Sequence, residues 1–447
     1  GMGDRAGEGS DGALVRGLGI DAVSVVEIRV ESAEMGTQVA RRQAGTVDSW
    51  VLQLTDDESD VWGGDATRIR TVLRGLGSAS LAVIDDDEGI GEMFGTLWLV
   101  DGGGLTTEVR FGTEAAGGIV RAEVVSRGAD GIARSRWFGR IERSLRDLFL
   151  VDGFESWRTT ELFDFTLSQV FGAEVRAGGD FVGLKRTGEG WGVVEPWSVG
   201  ADGAMVESML GLTLGLKVER FYDASVYTDD LTGLVSPMAR IRISGRETGF
   251  QSGAMIEIGA AVDTAGSEIF ARYSVEGANP VLVAIKTAGL NQLTPAPLAY
   301  VHQTASEMGQ ADVGRVRILG TDGIERFVCK AQLDSWEVLG VVVSASQREA
   351  IDRLIGVLTQ EKAERIYELS DGEESAGTLI GIGEVELVAR NGETELFEVS
   401  IESGDEGIRL LLSRGIGDGI ELVWVCGSAE AGGTGAWIGA LVAGGEE

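Results

Sequence analysis

Short runs in which apolar and polar residues alternate recur along the whole chain, separated by glycine-rich turns, and a period of two is that of strands with one buried face. Three stretches break the rule. Apolar side chains fall at i, i+3, i+4 and i+7 in Ile69-Val72-Leu73-Leu76 and in Ile351-Leu354-Ile355-Leu358, the spacing that lines one face of an amphipathic helix. A middle copy, Val206-Met209-Leu210, ends in Thr213 and loses its last apolar member. Start signals precede each helix. Asp65 and Asp202 stand four residues before the first apolar position, and Ser346-Gln347-Arg348-Glu349 has the form of a capping box, whose serine and glutamate satisfy free amides.

The same order of elements comes three times. Trp50, Trp191 and Trp336 recur at separations of 141 and 145 residues, and a fixed period of this kind marks repeated units. Two alternating runs precede each tryptophan: VVEIRV and TQVARR, GAEVRA and FVGLKR, GRVRIL and ERFVCK. The tryptophan then opens a third strand, read as WVLQL, WGVV and WEVLGVVV. Thirteen residues past Val206 and Ile351 come Glu219-Arg220-Phe221-Tyr222 and Glu364-Arg365-Ile366-Tyr367, with Leu81-Ala82-Val83-Ile84 as the diverged counterpart. Runs beginning GTLWLV, ARIRIS and GEVELV then give about four further strands in each repeat. The expectation is an α+β fold of three repeats, each an antiparallel sheet with one amphipathic helix in the order β-β-β-α-β-β-β-β. The repeats would occupy residues 19–157, 158–304 and 305–447, behind a flexible leader over 1–18.

Composition refines this. A chain of 447 residues that is 43% hydrophobic and 24% charged can bury cores in about two to four domains. A net charge of −33 excludes duplex nucleic acid and anionic lipid as partners, because both are bound chiefly through Lys and Arg. Sixty-eight Gly against five Pro suits many tight turns with positive φ. Cys329 and Cys426 match no metal spacing and read as buried free thiols, with a single bridge as the alternative. No stretch reaches the roughly 18 apolar residues of a membrane span. Gly1 ahead of Met2 has the form of a protease scar, so the native start is expected upstream.

Candidate chemistry is sparse. The one histidine, His302, reads as a solvated linker residue, which leaves Ser-His-Asp triads, Cys-His pairs and multi-histidine metal sites without members. Asp85-Asp86-Asp87-Glu88-Gly89 places its glycine one position too early for a calcium loop and lacks the closing glutamate; together with Asp56-Asp57-Glu58-Ser59-Asp60 it reads as charged loop. Asp263-Thr264-Ala265-Gly266 has no second copy to share a proton, and Gly415-Ile416-Gly417-Asp418-Gly419 lacks the Lys-Ser/Thr of a phosphate loop; both read as turns. No catalytic residue, cofactor or metal site is assigned, and the chain reads as non-enzymatic. Of the ten tryptophans, the three repeated ones and Trp424 read as core. Trp62 and Trp197, placed in loops ahead of helices, are the candidate exposed contact residues.

Trp157-Arg158-Thr159-Thr160-Glu161-Leu162-Phe163-Asp164-Phe165, then Leu184-Lys185-Arg186, Gly190-Trp191, Glu195-Pro196 and Ala201-Asp202, make the middle repeat resemble a bacterial family of unknown function, numbered 4340, found beside ABC-2-type and gliding-motility-type transport components. The first and third repeats lack the Trp-Arg opening and the Glu-Pro step. The resemblance implies an extracytoplasmic body behind an N-terminal membrane anchor, with a cytoplasmic location as the alternative. The function it implies is that of a non-catalytic accessory or scaffold protein of a membrane transport or surface-assembly system, with transport components as partners and neither cofactor nor small-molecule substrate. Repetition agrees with that, since stacked units create long contact surfaces. The alternative is binding of a surface polysaccharide through exposed aromatic side chains.

Overall fold

The computed structural model describes residues 15–43, 49–84, 89–115, 117–188, 190–248, 251–290, 293–333, 335–370, 378–404, 407–417 and 420–426. Most of the expected leader, and Asp85 to Glu88 of the acidic run, lie outside them. The described chain is mostly antiparallel sheet with few helices, in three sheets of nine or ten strands, so the α+β expectation and the repetition of sheet units hold.

The first sheet uses β1 (Val15–Gly17), β2 (Val25–Ser32), β3 (Gly36–Arg42), β4 (Trp50–Gln53), β5 (Val61–Gly64), α1 (Ala66–Ser78), β6 (Ser80–Ile84), β7 (Gly95–Asp101), β8 (Thr106–Ala115), β9 (Ile119–Arg127) and β10 (Ala133–Glu142), with α2 (Arg143–Leu150) following. Its strands lie in the order β1-β6-β10-β9-β8-β7-β2-β3-β4-β5. The second uses β11 (Val170–Ala177), β12 (Asp180–Thr187), β13 (Gly190–Glu195), β14 (Val199–Ala201), α3 (Gly203–Leu214), β15 (Val218–Tyr222), α4 (Asp229–Thr232), β16 (Ala239–Thr248), β17 (Gln251–Ala261), β18 (Glu268–Val275) and β19 (Val281–Lys286), in the order β14-β13-β12-β11-β16-β17-β18-β19-β15. The third uses β20 (Val313–Leu319), β21 (Glu325–Ala331), β22 (Trp336–Val338), β23 (Val341–Val342), α5 (Ala345–Thr359), β24 (Arg365–Ser370), β25 (Thr378–Ala389), β26 (Thr394–Gly404), β27 (Gly407–Gly417) and β28 (Ile420–Cys426), in the order β23-β22-β21-β20-β25-β26-β27-β28-β24.

Apart from β1, the three orders are one topology. Four strands meander outward from the centre, a helix intervenes, and the next strand takes the opposite edge. A second meander then starts beside the first strand and runs out to that edge. The repeat is therefore β-β-β-β-α-β-β-β-β-β, which corrects the expected β-β-β-α-β-β-β-β by one strand on each side of the helix. The missed fourth strands pair with the tryptophan strands. WEVLGVVV, expected as one strand, is a hairpin that turns at Leu339 and Gly340, whose φ values of 52° and 83° are those of a tight two-residue turn. The missed strands after the helices are β6, β15 and β24, which pair with β10, β19 and β28.

The helices start where unpaired amides need acceptors. The Asp65 carboxylate accepts from the Thr67 and Arg68 amides at 2.9 and 3.0 Å, and that of Asp202 from the Ala204 and Met205 amides at 2.9 and 3.3 Å. In the third repeat the cap is Ser344, not Ser346. Its hydroxyl accepts from the Gln347 amide at 3.3 Å, and the Gln347 side chain accepts from the Ser344 amide at 3.1 Å. The capping box thus sits two residues earlier than expected, because the helix begins at Ala345. The apolar stripes face inward as their spacing requires: Ile69, Leu73 and Leu76 are buried, as are Ile351, Leu354, Ile355 and Leu358. Thr213, where the middle stripe turns polar, is also buried, and its hydroxyl donates to the Met209 carbonyl at 3.0 Å.

The chain forms two compact units. One holds Gly1–Gln169, Leu214–Met238 and Ser244–Ala288; the other holds Val170–Thr213, Ala239–Ile243 and Gly289–Glu447. In the first, the α1 stripe joins Ile28, Leu97, Phe111, Trp50 and Trp157 in one cluster, and Phe154 stacks on Trp157 with ring centroids 4.4 Å apart. In the second, Trp424 is buried and donates to the His302 carbonyl at 2.9 Å, so His302 is a half-buried anchor rather than a solvated linker residue. The Trp336 indole donates to Asp352 at 2.9 Å. Cys329 and Cys426 are both buried, and neither forms a disulfide.

Candidate contact surface

Trp62 and Trp197, the expected exposed residues, are both buried. Trp62 belongs to β5 rather than to a loop. Its indole N–H donates to the Thr159 carbonyl at 2.9 Å, and its ring meets Phe221 and Tyr273 edge to face at 5.3 and 5.5 Å. Trp197 donates to Glu368 at 3.2 Å. Strand parity explains the first case: in so short an edge strand, one side chain in two faces the interior. No tryptophan among the described residues is exposed. A cleft of about 540 Å³ lies beside Trp62, lined by Trp50, Thr67, Glu161, Asp164 and Tyr273 among others. Asp65 also lines it, but its carboxylate is committed to the helix cap.

The buried carboxylates are likewise committed. Glu108 accepts from Arg110 and Arg127 at 2.6 and 3.3 Å, and Glu123 from Arg110 at 3.1 Å and from Arg136. Glu257 holds Arg272 at 2.7 Å. Glu395 accepts from the Ser306 hydroxyl at 2.5 Å and from Arg414 at 3.3 Å. Charges out of water are tolerated when paired in this way. Asp263 is a turn former, accepting from the Gly266 amide at 2.8 Å. Among the described residues no group of three His, Cys, Asp or Glu is placed to hold a metal ion.

What stands out is apolar. The segment between β15 and β16, residues 223–238, is the longest of the three equivalent connections, the others being 85–94 and 371–377. One set of its side chains anchors it: Leu234 packs with Phe270 and Leu282, and Tyr227 lies 4.7 Å from Tyr222 and 5.9 Å from Phe270, centroid to centroid. Gly233, at φ 71°, closes the single turn α4, and Asp229 is tied to Arg272 at 2.7 Å. The other set is more than half exposed: Val226, Leu231, Val235 and Met238. Scattered exposed apolar residues are ordinary, but here four fall within one braced segment of sixteen residues, over a small core of its own.

No family model matches the sequence, and no curated protein matches it. Among solved structures, a DnaN sliding clamp (DNA polymerase III subunit beta) from Pseudomonas aeruginosa bound to griselimycin aligns over 90% of this chain and 91% of its own, at 10% identity and a TM-score of 0.16. A score that low assigns no fold.

The contact surface left a trace in the sequence. Residues 223–238 carry Val226, Leu231, Leu234, Val235 and Met238 without a period of two or of 3.6. An apolar segment with no period cannot be resolved into inward and outward residues until its turn is known.

Proposed function

We propose that this chain is a non-catalytic accessory or scaffold protein of an extracytoplasmic membrane transport or surface-assembly system, and that it works by protein contact. The observation that carries this reading is the exposed set Val226, Leu231, Val235 and Met238 on a braced base. Covering such a surface stabilises a complex by roughly 25 cal/mol per Å² of apolar area removed from water, before the cost of association. The commitment of the buried carboxylates to arginine, serine and backbone partners supports a structural rather than an acid–base use of them. The partners are transport components embedded in the membrane. No described helix of this chain is long and apolar enough to cross one.

The test is a photo-cross-linking residue placed at Val235 in the native host, with one at exposed Asp180 as the control. Adducts with an integral transport component from Val235 and not from Asp180 support the reading. Recovery of the chain from the cytoplasm with no membrane adduct sinks it. The polysaccharide alternative required exposed tryptophan faces, and Trp62 and Trp197 do not offer them.

A further inference from the structure

In each sheet the outer hairpin strand, β5, β14 or β23, leads into the helix cap, with Val343 alone between β23 and Ser344. In two of the three, a later segment lies along that strand. On the first, Gly64 bridges antiparallel to Arg158, the Thr159 amide donates to the Gly63 carbonyl at 2.8 Å, and the amide of the cap Asp65 donates to the Trp157 carbonyl at 2.7 Å. On the second, Ala201 bridges to Val301 in the same sense, and the amide of the cap Asp202 donates to the Tyr300 carbonyl at 2.7 Å. In both, the residue supplying that carbonyl is a fully buried aromatic. An added strand led by an aromatic anchor is thus how this fold closes the edge.

The third edge is built differently at each of these points. Its cap amide, on Ser344, is taken by the Gln347 side chain of its own helix. Where the others have Gly63 and Gly200, it has Val342. A side chain at Gly200 would collide with the Glu307 carboxylate, which accepts from the Gly200 amide at 3.0 Å. Val342 is instead 61% exposed, beside Val341 at 69% and Leu339 at 100%. Val341 pairs with Val338, and the Val343 amide donates to the Trp336 carbonyl at 3.0 Å. By alternation the amide and carbonyl of Val342 point away from β22. Among the described residues none pairs with them.

We propose that β23 is an acceptor edge for an extended segment of a basic partner protein, added antiparallel as Arg158 and Val301 are on the sister edges. The inference rests on the protein-contact reading above and supplies a second, separate surface for it. Unpaired strand edges recruit strands through the backbone. The net charge of −33 draws a basic segment and repels a second copy of this chain.

The probe is a fluorescein-labelled peptide copying Ser156 to Thr160, flanked by lysines, titrated against the full chain by anisotropy. Saturable binding is expected, weakened roughly tenfold when alternate peptide amides are N-methylated and again by Val342→Pro, and unchanged by Val235→Asp. The N-methylated peptide carries the result even if Val342→Pro unfolds the chain. Absence of binding, or binding indifferent to N-methylation, overturns the proposal. Binding that appears only when Trp437, in the C-terminal residues 427–447 outside the described ones, is changed by Trp437→Ala identifies that segment as the occupant, and dimerisation abolished by Val342→Pro identifies a second copy; either overturns the basic partner. Cross-links from Val235 are independent of all these outcomes, so failure here and failure of the scaffold reading are separable.

Discussion

Glu123 faces Arg110 and Arg136 across strands of the first sheet while it is itself 3% exposed. Its arginine partners keep between a third and two thirds of their side chains in solvent, so removing the carboxylate leaves charges that water can still reach. Glu123→Ala should therefore cost about 1–3 kcal/mol in denaturant unfolding, below the range for a fully buried pair. A loss under a few tenths would show that the cross-strand pair contributes nothing. Cys329 makes a second prediction. Burial pushes its thiol up from the ordinary 9.0 to about 12. Its folded value is raised, so the unfolded thiol ionises first; stability is level below 9.0 and falls as the pH rises toward 12. Cys329→Ala should flatten that alkaline decline, leaving the part due to Tyr300, which is raised from 10.0 to about 12 by the same loss of water. At this scale the sequence was readable wherever parity decided the matter, as for Trp50, Trp191 and Trp336, all buried. It misled where a residue's strand was too short to show parity, as for Trp62 in β5.

Helix starts illustrate what is legible in an element. Asp65 and Asp202 were visible as caps because each stands just ahead of a long 3.6-residue stripe. Ser344 was displaced by its neighbour Ser346, since two serines followed three residues later by Gln347 and Glu349 offer two boxes, and only the backbone decides between them. Ser344→Ala should lower the unfolding midpoint in proportion to a loss of roughly 1 kcal/mol, whereas Ser346→Ala should leave it within a few tenths. Equal effects would mean that the cap is shared. Gly64→Ala belongs at this scale too. Its Cβ would come within 2.8 Å of Ile69 Cδ1 and 2.9 Å of Trp50 Cβ, where strand β5 turns into α1. The overpacking should cost about 1–3 kcal/mol, read by thermal melting. The short strands β5, β14 and β23 escaped the sequence because two to four residues do not establish an alternation.

Over the whole molecule, the period of the three tryptophans carried the architecture further than any local signal did. It marked three homologous sheets even though the number of strands in each was miscounted. The contact surface on 223–238 showed in the sequence only as apolar residues without a period, because exposure of an apolar residue depends on which neighbours fold back beneath it. A net charge of −33 also acts at this scale. Like charges repel across the compact state, and salt screens them over about 10 Å at 0.1 M. The thermal midpoint should accordingly rise between low and moderate NaCl; a fall would show that the surface ion pairs outweigh the net repulsion.

Apart from β1, each sheet has two rows of hydrogen bonds that join stretches far apart along the chain, one between the strands that open its two meanders and one between the strand after the helix and the last strand. Within each meander every strand lies beside a sequence neighbour. Each meander can thus assemble from hairpins, while the two long-range rows must wait for long loops to close. A backbone cut in the seven-residue connection 371–377 would therefore leave β24 on one piece and its partner β28 on the other, so that the two pieces of the third sheet interlock both there and between β20 and β25. Their rejoining would be a bimolecular reaction, which makes this fold a natural frame for a split-protein reporter.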